Sequence, residues 1–148
     1  MHGLPYDYIR GLVEGEGTFT FSTSPRKMSD GSIKKVKVPA FALKMHERDE
    51  ELLRSVRNSL GLDNRVYNHK TATKDKPNRG RQAMLIVREF PQIYTIIIPF
   101  FYKKLYGNKG KQFINWLEKM NDSDTSDMTK FLYRQYKRGY FDKNPKFE

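Results

Sequence analysis

The chain has 148 residues, and 28 lysines and arginines against 17 aspartates and glutamates give it a formal charge of +11. Hydrophobic residues make up 37% and aromatics 14%, enough for one packed core, while no stretch reaches the roughly 18 uninterrupted apolar residues of a transmembrane helix. The absence of cysteine excludes a disulfide scaffold, thiolate zinc sites and cysteine nucleophiles; three histidines exclude a His-rich metal cage; and the opening MHGLPYDYIRG lacks the apolar run of a signal peptide.

So much positive charge on so short a chain points to a polyanion, because each lysine or arginine beside a phosphate releases condensed counterions from nucleic acid. In chain order, Pro5 suits a first helical position and Gly15 and Gly17 end a helix over Tyr6 to Glu14. TFTFSTS, residues 18–24, alternates Phe19 and Phe21 against Thr18, Thr20, Ser22 and Ser24, the period of a half-buried strand. After the turn PRKMSDGSIK comes a second strand, KVKVPAFAL. Phe41 and Leu43 there want one face, and strict alternation would carry Lys35 and Lys37 with them, so a bulge near Pro39 is expected. The side taken by Val36 and Val38 stays open. In HERDEELLRSVRNSLG, Leu52, Leu53, Val56 and Leu60 share a helical face, Glu47, Asp49 and Glu50 favour the N-terminal dipole and Gly61 is a natural stop.

The pattern then repeats. RVYNHKTAT and RQAMLIVRE read as strands around the basic loop KDKPNRG, and PQIYTIII as a buried helix. Two more helices are predicted from Phe113, Trp116, Leu117 and Met120 and from Met128, Phe131, Leu132 and Tyr136, the latter capped by Asp127. The fold class is α+β, in the order αββαββα, with further C-terminal helices. No sequence motif is duplicated, so 1–148 reads as one domain, with a core over about 4–120 and a helical extension over about 121–148.

Chemistry concentrates in Ile9-Arg10-Gly11-Leu12-Val13-Glu14-Gly15-Glu16-Gly17. Glu14 and Glu16 stand at a helix C-terminus, where free carbonyls already present about half a negative charge, so carboxylates are disfavoured there unless a cation answers them. A divalent metal would do so, held by Glu16 and the Gly15 carbonyl, hard oxygen ligands suited to Mg²⁺. The alternative is an ordinary glycine-terminated helix with two solvated glutamates. Gly11 and Gly15, four residues apart, leave a bare stripe on which another helix could approach.

IRGLVEGEG resembles the LAGLIDADG signature of homing endonucleases: Ile9 stands for the first Leu, Arg10 for Ala, Val13 for Ile, Glu14 and Glu16 for the two Asp, and Gly15 for the second Ala. The resemblance implies that fold, with a concave four-stranded antiparallel sheet lying along the major groove of duplex DNA. It further implies a homodimer paired through the motif helices at Gly11, Leu12 and Gly15, of charge twice +11, or +22. Cutting both strands needs two active sites, and one motif per chain supplies one. The last acid of the motif, Glu16, would bind the metal at each scissile phosphate; Glu in place of the commoner Asp keeps the charge and adds a methylene. Ca²⁺ would support binding without cleavage.

The resemblance also implies roles for Lys109, just before the helix of Phe113 and Trp116, as a cation near the scissile phosphate. His46, at the junction of strand 2 and helix 2, would order water near the metal. Lys109 could equally be a solvated lysine in a basic turn, and His46 a cap of helix 2; Met45 beside it could not polarise water. Candidate base readers are Thr20, Ser22, Ser24, Arg26, Lys34, Arg65, Tyr67, His69, Arg79 and Arg81, with Lys70, Lys74 and Lys76 on phosphates. The implied activity is Mg²⁺-dependent, site-specific double-strand DNA cleavage leaving short 3′ overhangs, in intron or intein homing. The implied place is inside a prokaryotic cell or organelle, with neither a membrane nor a small molecule as partner. Some relatives act as RNA splicing maturases or as DNA-binding regulators with reduced catalysis. A merely structural or ribosome-associated basic protein would explain the polar strand but not carboxylates at a glycine-rich helix end.

Overall fold

Helix α1 spans Tyr6–Glu16, two residues past the end that the glycines suggest. Gly15 and Glu16 remain helical, Gly17 is the C-cap with its amide on the Val13 carbonyl, and Pro5 is the N-cap rather than the first helical residue. Only glycine fits at 17, since a Cβ there would lie 2.6 Å from Val13 Cγ1. The chain therefore leaves α1 directly into β1, Gly17–Lys27, turns, and returns as β2, Ile33–His46. A 3-10 turn over Glu47–Asp49 leads into α2, Glu50–Leu60, which stops at Gly61 with φ at 76°. This computed structural model describes residues 3–70, 81–143 and 146–147, and of His69 and Lys70 the backbone only. Lys74, Lys76 and Arg79 lie outside the described residues.

Strands β3, Val66–Lys70, and β4, Arg81–Val87, complete an antiparallel sheet in the order β1-β2-β4-β3. The β1–β2 register runs unbroken from Gly17↔Leu43 through Phe21↔Pro39 to Lys27↔Ile33, so the bulge expected near Pro39 is absent. The conflict that suggested it resolves otherwise. Lys35 and Lys37 do share the face of Phe41 and Leu43, but there the strand has run past the core, and Lys37 delivers its ammonium to Asp124 at 3.0 Å. Val36 falls on the opposite row with Ala40 and Ala42.

One face of the sheet, with Phe19, Phe41, Leu43, Leu85 and Val87, packs against the helices. Trp116, Phe41, Phe100, Phe101 and Phe113 are among the largest fully buried side chains, and burying a side chain of this kind stabilises the fold by about 1.5–3 kcal/mol. From α2 the helix face Leu53, Val56 and Leu60 is buried, whereas Leu52 sits at its margin. The helix read from PQIYTIII is present in three parts: α3, Phe90–Gln92, a π turn over Ile93–Ile97, and α4, Ile98–Phe101. Pro99 has no amide to give the preceding turn, and the widened ring just before it absorbs the break.

Helix α5 covers Asn108–Lys119, so Lys109 lies in its first turn rather than before it. Helix α6, Asp127–Lys137, is capped by Ser126, whose Oγ accepts the Thr129 amide at 3.1 Å. Asp127 is its first helical residue and does not cap it; its carboxylate receives Arg26 at 3.0 Å instead. Met128 is 53% exposed, while Thr129 and Leu132 carry the buried face. The short α7, Tyr140–Lys143, brings Phe141 onto the core, and Phe147 is buried beyond it.

Candidate active site and nucleic-acid face

Three elements converge where α1 ends: the last turn of α1, the first residues of β1 and the N-terminus of α5. β1 is an edge strand, and edges leave backbone groups without partners. α5 supplies partners for two of these, at Gly17 and Phe19, and adds a bond to Thr20, all from one face. Lys109 Nζ donates to the Gly17 carbonyl, the Phe19 amide donates to Gln112 Oε1 at 3.3 Å, and Trp116 Nε1 donates to the Thr20 carbonyl at 2.7 Å. Glu14 completes the junction from the other side. Its Oε2 accepts the Tyr106 amide at 2.7 Å and its Oε1 the Gly107 amide at 3.2 Å, and Gly107 is the N-cap of α5. The first acid of the motif thus holds the loop that delivers Lys109. A cleft of about 390 Å³ lies here, lined by Glu14, Gly107, Asn108, Lys109 and Gln112.

Glu16 differs from Glu14. It is exposed and makes neither a hydrogen bond nor an ion pair with any of the described residues. The Gly15 carbonyl belongs to the last turn, whose carbonyls have no amide ahead of them in the helix, and the amide four residues on, Phe19, is taken by Gln112. An unpaired carboxylate and a last-turn carbonyl at the negative end of a helix dipole form a hard oxygen donor set that a divalent cation would neutralise. Among the described residues no group of three or more His, Cys, Asp or Glu surrounds them. Mg²⁺ fits such a sparse set, since it commonly keeps several waters and takes one or two carboxylates plus phosphate oxygens.

His46, the last residue of β2, accepts the Arg48 amide on Nδ1 at 3.1 Å and so caps the 3-10 turn before α2. Capping, one of the two roles open to it, is made; the other ring nitrogen has no partner among the described residues.

The second face of the sheet carries the polar row of β1. By register, Thr20, Ser22, Ser24 and Arg26 share it with Lys34, Lys44, Gln82 and Tyr67. Lys44 and Gln82 escaped the sequence reading, because their side depends on strand pairing rather than on local pattern. Arg65 stacks its guanidinium 5.4 Å from the Tyr67 ring. His69 pairs with Gln82, and Lys70 with Arg81. Arg81 starts β4 on the helix-side row and is exposed at the strand end, away from the row of Tyr67. Arg26 is drawn aside to Asp127.

Along α1 the outward stripe is Tyr8, Gly11, Leu12 and Gly15. Tyr8 is 47% exposed, and a Cβ added at Gly11 or Gly15 would meet nothing within 4 Å. The inward face holds Arg10, 5% exposed, which the sequence reading passed over. Its Nε donates to the Phe100 carbonyl at 3.1 Å, its Nη2 to the Phe147 carbonyl at 3.4 Å, and its guanidinium lies 4.3 Å from the Phe100 ring centre. One local partner exists, Asp7 a turn earlier with Oδ1 3.5 Å from Nη1, but the carbonyls that take its hydrogen bonds stand 90 and 137 residues away.

The family model described as LAGLIDADG endonuclease matches residues 9–120. No curated protein matches. Among solved structures, the I-LtrWI LAGLIDADG homing endonuclease bound to target DNA is 27% identical at a TM-score of 0.59, covering 76% of this chain and 35% of that one. The LAGLIDADG homing endonuclease I-GzeII in complex with its DNA target is 26% identical at 0.58, covering 90% and 43%. The chain thus spans less than half the length of these DNA-bound structures. The homing endonuclease I-TnaI, 21% identical at 0.56 over 93% of this chain and 99% of its own, shares the fold at the same length.

Proposed function

This chain belongs to the LAGLIDADG endonuclease family, and on that premise we propose that it cuts a specific site in duplex DNA as a homodimer, with Mg²⁺ at Glu16. The observation that carries the proposal is the contrast between the two motif acids: Glu14 is spent on two backbone amides, while Glu16, next to Gly15 in the last turn, is exposed and pairs with none of the described residues. A carboxylate left unanswered at a helix C-terminus is costly unless a cation comes to it.

The metal, when bound, would lower the pKa of a coordinated water and offset charge on the scissile phosphate. Glu16 and the Gly15 carbonyl would hold it. Lys109, anchored on the Gly17 carbonyl by the α5 turn that Glu14 clamps, adds a fixed positive charge to the junction where charge grows on phosphorus. One chain offers one such acid, and two strands need two. The bare stripe of Gly11, Leu12 and Gly15 lets a second copy bring its own α1 close, with two-fold symmetry matching a partly palindromic site. The polar sheet face, with Thr20, Ser22, Ser24, Lys34, Arg65 and Tyr67, supplies base readout, with His69 and Arg79 as further readers, and Lys70, Lys74 and Lys76 supply register on phosphates. Cleavage across the minor groove leaves short 3′ overhangs, the kind of break that starts intron or intein homing.

The test is selection of cleaved sites from a randomised duplex library, followed by Glu16→Gln on the selected site. Cutting in Mg²⁺ should fall at least about a hundredfold, with binding in Ca²⁺ retained. Cutting at the native rate by Glu16→Gln would remove the catalytic assignment. Tight, sequence-selective binding with no cutting by the native chain would make it a DNA-binding regulator or maturase instead.

A further inference from the structure

The β1–β2 hairpin is longer than the sheet that supports it. Among the described residues β4 pairs with β2 over Phe41–His46, and residues Ile33–Ala40 of β2 have β1 on one side and no strand on the other. Two strands alone are marginal in water, yet this arm carries the polar row of β1 on past the strands β4 and β3. It is held by the turn between α5 and α6. Thr125 bridges Lys37 as a parallel partner: the Lys37 amide donates to the Asp124 carbonyl at 2.8 Å, and the Ser126 amide donates to the Lys37 carbonyl at 3.0 Å. Two ion pairs flank this graft, Lys37 with Asp124 and Arg26 with Asp127, each at 3.0 Å. Each hydrogen bond holds its carboxyl below the ordinary value, by Lys37 for Asp124 and by Arg26 for Asp127. The turn is itself pinned, because Thr125 Oγ1 donates toward the Met120 carbonyl at 2.8 Å and Lys130 Nζ donates to the Thr125 carbonyl at 2.7 Å.

We propose that Asp124, Thr125 and Asp127 form a brace that sets the pose of the β1–β2 arm on duplex DNA, making the two aspartates positioning residues for reading the outer part of the site. This rests on the DNA-binding reading above. The brace joins the two strands of the arm to the same short segment, Arg26 on β1 and Lys37 on β2, so it fixes the arm's angle to the sheet and not only its register. It also keeps the Arg26 guanidinium on a carboxylate, where it is withheld from phosphates, which would bind it without regard to sequence.

The experiment uses the full chain carrying Asp124→Asn and Asp127→Asn together. Amide hydrogen exchange without DNA reads the brace directly: the amides of Ser22, Ser24, Val36 and Val38 should exchange roughly three- to tenfold faster than in the native protein, while those of α1 and β4 stay unchanged. Parallel selections from a randomised duplex library read its use. The double variant should lose about tenfold of base discrimination at the outer positions of each half-site and keep both the inner preferences and the cleavage rate of bound DNA. Exchanging the charges of one pair, Arg26→Asp with Asp127→Arg, in the Asp124→Asn background should restore part of both. Unchanged exchange in the arm overturns the proposal, as does an equal loss of discrimination at all positions, which marks general destabilisation. If the native chain selects no sequence, the DNA reading fails, and the exchange experiment alone decides whether the brace exists.

Discussion

Replacing Glu14 by alanine separates clamping from metal binding. The side chain accepts two backbone amides, from Tyr106 and Gly107, and hydrogen bonds to a charged group contribute about 1.5–3 kcal/mol each in protected surroundings. Tyr106 is 93% exposed and water replaces part of what is lost, so the two together come to about 1–2 kcal/mol of stability. For a chain of this size that corresponds to a fall in Tm of about 2–8 °C. The effect on chemistry should be larger. Gly107 is the N-cap of α5, and Lys109 sits two residues on with its ammonium on the Gly17 carbonyl, so loss of the clamp frees the first turn to shift; a misplacement of about 1 Å can cost about a hundredfold in rate. Single-turnover cleavage of the selected duplex in Mg²⁺ should slow by about 10–100-fold while binding in Ca²⁺ changes by less than about threefold. Glu14→Gln, which keeps one acceptor oxygen, should fall between. Native single-turnover rates in the alanine variant, with the Tm lowered as stated, would show that the clamp serves stability alone and that Lys109 is held by other means.

Gly11→Leu should leave the folded monomer intact or slightly more stable, since its Cβ meets nothing within 4 Å among the described residues and leucine is a better helix former than glycine by roughly 0.5–0.8 kcal/mol. Sedimentation should nevertheless show loss of the dimer, and a normal dimer would remove α1 as the interface. Arg10→Leu should destabilise by about 2–4 kcal/mol, because the Phe100 carbonyl at the end of α4 and the Phe147 carbonyl both lose a buried donor. Denaturant unfolding checks this, and a change within about 0.5 kcal/mol would mean that water replaces the guanidinium.

What was legible in the sequence was local. Phe19 and Phe21 alternate against threonine and serine, Leu53, Val56 and Leu60 recur at helical spacing, and Gly61 stops its helix in the left-handed region, so the order αββαββα follows from neighbours within a few residues. The glycine-rich acid pair at the end of α1 was visible for the same reason: an unfavourable charge at a helix terminus is a local oddity. The failures were also instructive. Lys35 and Lys37 suggested a bulge because what receives Lys37 lies 87 residues on, where Asp124 waits at the side of the strand. Asp127 looked like a cap because Ser126 before it is equally suitable, and only the backbone of Lys37, by taking the Ser126 amide, decides where the helix begins. Glu14 and Glu16 were indistinguishable by spacing. What separates them is the loop at Tyr106 and Gly107, about 90 residues away, which reaches one and not the other.

That separation links the sheet's weakest edge to its chemistry. β1 needs a cover for its free backbone groups, and α5 provides it with Lys109, Gln112 and Trp116, positions three and seven residues apart on one helical face. The same face that satisfies the edge takes the Phe19 amide on Gln112, so that amide does not turn to the Gly15 carbonyl, and it brings the ammonium of Lys109 to the first residue of the strand. An α5 that merely closed the edge with apolar side chains would leave the Gly17 and Thr20 carbonyls and the Phe19 amide without these partners, and would lose the cation as well. Stability of the edge and charge at the helix end are therefore set by one helix in one orientation. This explains why Glu14 is used to hold that helix by its N-terminus: an error in the placement of α5 would cost both at once.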